Sequence, residues 1–214
     1  MSTRKRVVAD LLFGIQALSA LIFGGSQFVR MLTSTQGVSI TWFGFWEAFL
    51  GLNLWMAFRA HKNQPSRVTR QTLGSYSIWT SMVTADFIVA LTKSSWDAND
   101  TNTTILVVVG GVITFLVARS KGLAIGDPMV KAWLAVFFKF VPQILLAYKV
   151  YQVGGAGLAP LMVWNGHVTI LMRIGQLAFS IREAGWDRNR IGSAISEVAN
   201  ELSWVIVTIV WLTR

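Results

Sequence analysis

The sequence contains no cysteine, which excludes disulfides, thiolate metal sites and cysteine nucleophiles. Charged residues are also scarce, at 14% of 214 residues, whereas hydrophobic residues make up 53% and the mean hydropathy is +0.52. There are two histidines, His61 and His167, and neither an HExxH motif nor a P-loop occurs. The composition therefore predicts no metal and no nucleotide cofactor, and it argues against a water-soluble domain.

The apolar residues fall in blocks of about 20 residues, the length that crosses the hydrocarbon core of a bilayer. The first block follows a basic run, as in a signal peptide, but it is too long for a signal's apolar core and lacks a persuasive cleavage site. We therefore predict an all-α integral membrane protein with seven transmembrane helices. The predicted spans are residues 7–31, 38–58, 73–92, 104–119, 130–151, 158–181 and 192–213.

The net charge of +9 comes from basic residues that lie between the apolar blocks. This pattern is typical of cytoplasmic loops and argues against nucleic-acid binding. With seven spans, the amino terminus and the second, fourth and sixth loops carry thirteen Lys and Arg residues. The opposite side carries four, namely Arg30, Lys93, Lys149 and Arg214. The bias predicts a cytoplasmic amino terminus and an external carboxyl terminus.

The first three and last three spans share a pattern that predicts an internal repeat. Ser26-Gln27 in the first span corresponds to Pro142-Gln143 in the fifth, and a glycine-containing turn follows each pair. A single linker helix lets two three-helix units keep the same orientation in the membrane, which gives a 3+1+3 parallel repeat. The alternative is that two hydrophobic triplets resemble each other by composition alone. The predicted units are residues 7–92, the linker 104–120 and residues 130–213.

These residues resemble the PQ-loop superfamily, which includes the SWEET sugar transporters, cystinosin and the KDEL receptor. Pro142-Gln143 matches the family's Pro-Gln pair, and the run from Ser34 to Ser39 matches its Ser-x-x-Gly-x-Ser turn. The resemblance implies a seven-helix bundle with a small-solute site between the two triplets, and Pro142 as a hinge. The chain departs from the family at Ser26, where members have proline, and in its charge bias, because members usually place the amino terminus outside.

Ionisable side chains at membrane depth are costly, so they mark candidate functional sites. Arg173 is the natural counter-ion for a buried acid, with a purely structural ion pair as the alternative. Lys139 is a further candidate, unless its amine extends to the membrane interface, and for His167 the alternative is a structural hydrogen bond. The predicted solute-binding residues are Trp46, Glu47, Asn53, Trp79, Asp86, Gln143, Asn165, Arg173, Glu197, Asn200, Glu201 and Trp204.

Two functions fit this pattern. The first is transport of a small polar solute by alternating access, with proton coupling through buried carboxyls as an option. The second is an intramembrane enzyme, because Trp46-Glu47 resembles a Trp-Glu pair in small seven-helix terpene cyclases. That resemblance implies Glu47 as a general acid, assisted by Asp86 or Glu201, with indoles that stabilise a carbocation.

The two functions predict different cavities and share their other partners. A polar cavity open to water favours the carrier, whereas a closed aromatic pocket open to lipid favours the cyclase. In both cases the expected partners are a small solute or lipid-soluble substrate and membrane lipid, without nucleic acid. The sequence leaves open whether the chain forms a homo-oligomer.

Overall fold

The computed structural model describes residues 3–214, apart from the side chains of residues 3–6, 8 and 9. The side chains of Arg4, Lys5 and Arg6, which contribute to the charge bias, therefore lie outside the described part. About 85% of the residues are helical and the described part contains no strand, which confirms the predicted all-α fold and the number of helices. The helices are α1 (Thr3–Thr33), α2 (Ile40–Asn63), α3 (Arg67–Lys93), α4 (Ala98–Ser120), α5 (Pro128–Val153), α6 (Pro160–Ala184) and α7 (Arg188–Thr213).

Polar side chains determine where five of the helices begin. Ser39, Ser66, Asp97, Asp127 and Asp187 precede α2, α3, α4, α5 and α7, and each side chain accepts a hydrogen bond from an N–H of the first turn. Such caps satisfy N–H groups that have no partner within the helix, and each contributes about 1 kcal/mol. Because the capped first turns are polar, α3 and α4 begin several residues before the apolar blocks predicted from hydropathy.

Four helical segments are long and apolar enough to cross a membrane: Asp10–Thr33 in α1, and the whole of α4, α5 and α7. On α4, the apolar side chains of Ile105, Leu106, Val108 and Val109 are between 50% and 55% exposed. A water-soluble protein rarely leaves a continuous apolar surface uncovered, whereas lipid chains cover one readily. These helices therefore indicate a membrane protein.

The helices pack as two groups of three with α4 beside them. Helix α3 packs against α1 and α2, and in the same way α7 packs against α5 and α6. Between the groups, α1 packs against α6 and α2 against α5, while α4 contacts α2 and α5. We call α1–α3 the amino-terminal half and α5–α7 the carboxyl-terminal half.

A buried carboxylate ties the start of α4 to both halves. Asp100 accepts hydrogen bonds from the Ser39 hydroxyl at 2.9 Å, and from the hydroxyl and N–H of Thr41 at 2.9 and 3.1 Å. From α5, Lys149 Nζ lies 3.1 Å from Asp100 and 2.9 Å from Asp97. Because Asp100 and Lys149 are both buried, each supplies the charge that the other needs at this depth.

Candidate functional site

A cavity of about 170 Å³ lies between the two halves. At one end it is lined by the starts of α5 and α7, where Asn189 and Ser193 are exposed; we call this end the mouth. At the other end it is lined by Phe23, Trp42 and Trp204, none of which is more than 3% exposed. The cavity therefore runs from the surface at one end of the bundle to a buried inner end.

Four helices bring polar side chains together between the mouth and the inner end. Arg173 Nη1 of α6 lies 3.8 Å from Glu197 Oε1 of α7. Lys139 of α5 and Tyr76 of α3 line the same cavity. At 1.5 Å per residue, the three charged groups lie roughly 14–17 Å along their helices from the mouth. We call these four side chains the polar belt.

Lys139 enters the polar belt from an irregular turn of α5. Val136–Phe140 forms one π-helical turn, in which the N–H of Val141 donates to the C=O of Val136. Pro142 follows directly, and its ring would clash with the carbonyl four residues earlier in a regular helix, so a wider turn relieves the clash. Pro142, the predicted hinge, thus lies beside the one π-helical turn of the described chain.

The Lys139 side chain is buried without a matching acid. It is 7% exposed, and its Nζ lies 5.9 Å from the centroid of the Phe49 ring. Among the described residues, no carboxylate lies within ion-pair distance of this amine. A lysine at this depth is costly unless something compensates its charge, so its position in the cavity wall is a functional feature to be explained.

Four tryptophans and one phenylalanine form the inner end, which we call the aromatic floor. The Trp42 ring stacks on Trp46 and on Trp204, with centroids 5.6 and 5.7 Å apart. The Trp46 and Trp79 centroids are 5.8 Å apart, and Phe23 meets Trp46 edge-on at 5.2 Å. Trp79 Nε1 is buried without a hydrogen-bond partner in the described part of the chain. The floor offers a ligand flat apolar surfaces and one free N–H donor.

Helix α6 holds Trp204 in place through a glycine. Trp204 Nε1 donates to the C=O of Val163 at 2.9 Å. The indole lies so close to Gly166 that a Cβ on this residue would come within 2.3 Å of Nε1. Gly166 is therefore needed because the ring approaches the backbone, and any larger residue would displace the floor.

Beyond the floor, hydrogen bonds between two turns join the halves; we call this contact the seal. The Gly157 N–H donates to the C=O of Gln36 at 2.8 Å, and the Gln36 side chain donates to the C=O of Val153. The fully buried Gln27 of α1 donates to the C=O of Gly157 and accepts from the N–H of Ala159, both at 2.9 Å. One side chain of the amino-terminal half thus binds two backbone groups of the other half.

Glycine conformation makes the seal possible. Gly37 and Gly154 have φ values of +77° and +83°, and a Cβ on Gly37 would lie 2.2 Å from the Gly154 oxygen. Among the described side chains towards the mouth, Gln16 and Gln176 join the halves by a longer contact of 3.4 Å. The described hydrogen bonds between the halves are therefore shorter at the seal than towards the mouth.

Most of the predicted site residues line this one cavity. The indoles contribute to the floor, Arg173 and Glu197 belong to the polar belt, and the remaining amides lie between them. Gln143 Nε2 donates to Asn200 Oδ1 at 3.1 Å, and the Ser203 hydroxyl donates to Gln143 Oε1. The predicted residues that line the cavity are Trp46, Asn53, Trp79, Gln143, Arg173, Glu197, Asn200 and Trp204.

Three of the four predicted acids, Glu47, Asp86 and Glu201, do not line the cavity. Glu47 accepts a hydrogen bond from the Thr84 hydroxyl at 2.7 Å, so its side chain lies between α2 and α3. Asp86 is fully buried, and neither of its oxygens has a hydrogen-bond partner within the described residues. The Glu47 side chain on α2 and the Asp86 side chain on α3 therefore lie behind the residues that line the cavity.

Two of the predicted residues, Glu201 and Asn165, join helices away from the cavity. Glu201 Oε1 lies 2.7 Å from Nδ1 of His167, and Nε2 of the same ring lies 2.8 Å from the Thr208 hydroxyl. Asn165 donates to the C=O of Ser19 at 2.5 Å and so connects α6 to α1. These contacts agree with the structural alternative for His167.

The structure adds cavity residues that the sequence analysis did not name, above all Phe23, Trp42 and Tyr76, and it places the further candidate Lys139 in the cavity wall. Trp42 could have been found from spacing, because it precedes Trp46 by one helical turn and therefore shares its face. Phe23 and Tyr76 carry no comparable signal, since each belongs to a helix with many aromatic and aliphatic residues.

No group of three or more His, Cys, Asp or Glu side chains is arranged to hold a metal ion within the described residues. The fold and the cavity define an all-helical membrane protein with an internal polar and aromatic site. Comparisons with family models, with curated proteins and with solved structures each found no match. What this protein does must therefore be argued from the cavity itself.

Proposed function

We propose that this protein is a membrane carrier that transports a small polar solute by alternating access. The observation that carries the proposal is the asymmetry of the cavity. It is exposed at Asn189 and Ser193 and closed beyond the aromatic floor by the seal. A carrier must expose one site to each side of the membrane in turn, and a site open at one end and closed at the other is one such state.

The arrangement of the helices supports a 3+1+3 repeat of two membrane-spanning triplets. In each half the third helix packs against the other two, and α1 contacts α6 as α5 contacts α2. If α1, α2 and α3 are exchanged with α5, α6 and α7, the same helix contacts result. A two-fold axis along the membrane normal would require this. Two similar units around a central site could then rock against each other.

The charge bias supports an orientation for this state. The mouth lies at the starts of α5 and α7, which adjoin the basic fourth and sixth loops. If basic loops face the cytoplasm, the mouth is cytoplasmic and the seal is external. The state is then the inward-open one.

Cysteine accessibility tests the proposal, because the natural chain has no cysteine of its own. Ser193→Cys reports on the mouth and Val38→Cys, at a fully buried position in the turn of the seal, reports on the closed end. An impermeant maleimide should label Ser193→Cys quickly in inside-out vesicles and Val38→Cys slowly in right-side-out vesicles. A transported solute should slow the labelling of Ser193→Cys and accelerate that of Val38→Cys. The solutes to be tested are glucose, lysine, glutamate and benzoate.

Ser120→Cys is the matched control, because it is exposed at the end of α4 on the same side as the mouth. Its labelling should not respond to any solute. Counterflow of each radiolabelled probe in the same vesicles measures transport directly. Labelling of Ser193→Cys and Val38→Cys that no probe changes, together with no counterflow of any probe, would refute the carrier.

The terpene-cyclase alternative draws support from one observation, the aromatic floor, since stacked indoles can stabilise a carbocation. Its proposed general acid, Glu47, points away from the floor to Thr84. The polar mouth favours the carrier by the criterion of water access. Incubating the purified protein with an isoprenoid epoxide separates the two functions, since only a cyclase would convert it.

A further inference from the structure

The polar belt and the mouth contain more basic than acidic side chains. Lys131, Lys139 and Arg173 line the cavity, and Glu197 is the acid that lines it. Glu197 Oε1 lies 3.8 Å from Arg173 Nη1, and none of the described ion pairs includes Lys139. The side chains of this cavity carry excess positive charge at membrane depth, where water cannot offset it fully.

Other acids of the bundle do not compensate for this charge. Asp100 already pairs with Lys149 at 3.1 Å, and Glu201 contacts His167 at 2.7 Å. Asp86 has no basic partner within ion-pair distance in the described part of the chain, and both its oxygens are buried without hydrogen bonds. None of the described ion pairs includes Lys139, and a bound anion would supply the counter-charge that it lacks there.

The surroundings of Lys139 also restrict the shape of a ligand. The aromatic floor lies directly beyond the polar belt, and Trp79 Nε1 is an unused donor there, on a side chain that is only 3% exposed. The cavity volume of about 170 Å³ is smaller than the sites that hold drug-sized ligands. A small ligand that fills it would place one end among the cations and the other on the indoles.

We infer that the solute is a small organic anion, whose charged oxygen atoms lie between Lys139 and Arg173 and whose flat apolar part stacks on the aromatic floor. This inference rests on the proposed function and names the class of its solute. Lysine and arginine are the side chains that bind carboxylates through charge-assisted hydrogen bonds. Indole faces accept flat apolar groups.

Three ligands with the same ring and different charge test the inference: benzoate, benzamide and benzylamine. Binding to the purified protein is measured by quenching of tryptophan fluorescence and by the rise in unfolding temperature. We expect benzoate to bind at least tenfold more tightly than benzamide, and benzylamine not to bind measurably. Equal affinities of the three ligands, or no benzoate binding at millimolar concentration, would overturn the inference.

Lys139→Met keeps most of the length of the side chain and removes its charge, so it should weaken benzoate binding at least tenfold. Lys139→Arg should restore most of the affinity, which a purely structural role would not explain. Lys121→Met, in the exposed loop before α5, is the control and should bind as the wild type does. If Lys139→Met does not fold, Arg173→Gln provides the same comparison, and unchanged benzoate affinity in either folded variant would contradict the inference.

These results are separable from the test of the carrier. If glucose or lysine shifts the labelling of Ser193→Cys and Val38→Cys while benzoate does not bind, the carrier stands and the anionic solute is wrong. If benzoate binds through Lys139 but neither shifts the labelling nor undergoes counterflow, the anion site stands and the carrier is wrong.

Discussion

The seal depends on Gln27, and replacing it with leucine should shift the protein towards a state open at that end. The Gln27 side chain is fully buried and forms two hydrogen bonds across the halves, to the C=O of Gly157 and the N–H of Ala159. Leucine has a similar size and can form neither bond. The substitution therefore removes contacts that exist only while the seal is closed.

The size of the shift follows from those two hydrogen bonds. Each is 2.9 Å long and joins neutral groups, and such a bond contributes about 1 kcal/mol net. Losing both disfavours the closed seal by about 2 kcal/mol, which changes the equilibrium between closed and open states about thirtyfold. The C=O and N–H left buried without partners add to this effect, since an open seal would expose them to water.

The labelling rate of a cysteine at Val38 measures this equilibrium. Val38 is fully buried in the turn beside the seal, so a cysteine there reacts only when the seal opens. If opening and closing are faster than labelling, the rate is proportional to the open fraction. We expect Gln27→Leu to accelerate labelling of Val38→Cys about thirtyfold in the absence of solute.

Gln152→Leu is the matched control for Gln27→Leu. Gln152 lies at the same end of the bundle and accepts a hydrogen bond from Asn99 at 2.7 Å, but this bond joins α4 to α5 and does not cross the seal. Labelling should therefore change little in this variant. A rate for Gln27→Leu within twofold of wild type, or an equal acceleration in Gln152→Leu, would refute the role of Gln27.

Three further predictions concern stability and the floor. Gly166→Ala should destabilise the protein by about 1–3 kcal/mol and change the fluorescence of Trp204, because the new Cβ meets its indole; unchanged denaturation and emission would contradict this contact. Lys149→Met should lower the free energy of unfolding in urea by about 3 kcal/mol, since it leaves Asp97 and Asp100 at the start of α4 without a cation. A variant as stable as the wild type would argue against this role of Lys149. Partial desolvation acts to raise the pKa of Asp127, but hydrogen bonds from the first turn of α5 and from Arg188 outweigh it and lower that pKa. Its carboxylate therefore stabilises the fold above the ordinary aspartate pKa of about 3.9, and this contribution disappears as the pH falls through the lower folded pKa. The unfolding temperatures of wild type and Asp127→Asn should therefore differ at pH 7 and converge as the pH falls through that folded pKa.

The helices were predictable because hydropathy measures what a membrane span requires, a long apolar run without charge. The faces of those helices were harder to predict. Lipid and protein interiors are both apolar, so a membrane helix lacks the polar stripe that marks the outside of a soluble helix. Glu47 shows the consequence: it follows Trp46 directly, and one residue turns the side chain by about 100°, away from the cavity and towards Thr84.

Asp86 shows a second limit of spacing. It lies seven residues after Trp79 and therefore on nearly the same face of α3. Seven residues also carry it roughly 10 Å along the axis, past the aromatic floor that Trp79 helps to form. The spacing of residues predicts the direction in which a side chain points. The depth at which the cavity ends depends on aromatic rings of other helices, so the sequence of α3 alone does not predict it.

The two glutamines that align in the proposed repeat have different roles in the structure. Gln27 holds the opposite half at the seal, whereas Gln143 lines the cavity and bonds to Asn200 within its own half. In the proposed parallel repeat, Gln27 and Gln143 lie towards the same side of the membrane. If the two halves exchanged their conformations, the cavity would therefore still open on the side where it opens now. In the proposed carrier, opening at the seal would instead separate Gln27 from the turn at Gly157. Gln143 forms no matching bond to the turn at Gly37 among the described contacts, so of the two aligned glutamines Gln27 is the one that joins the halves.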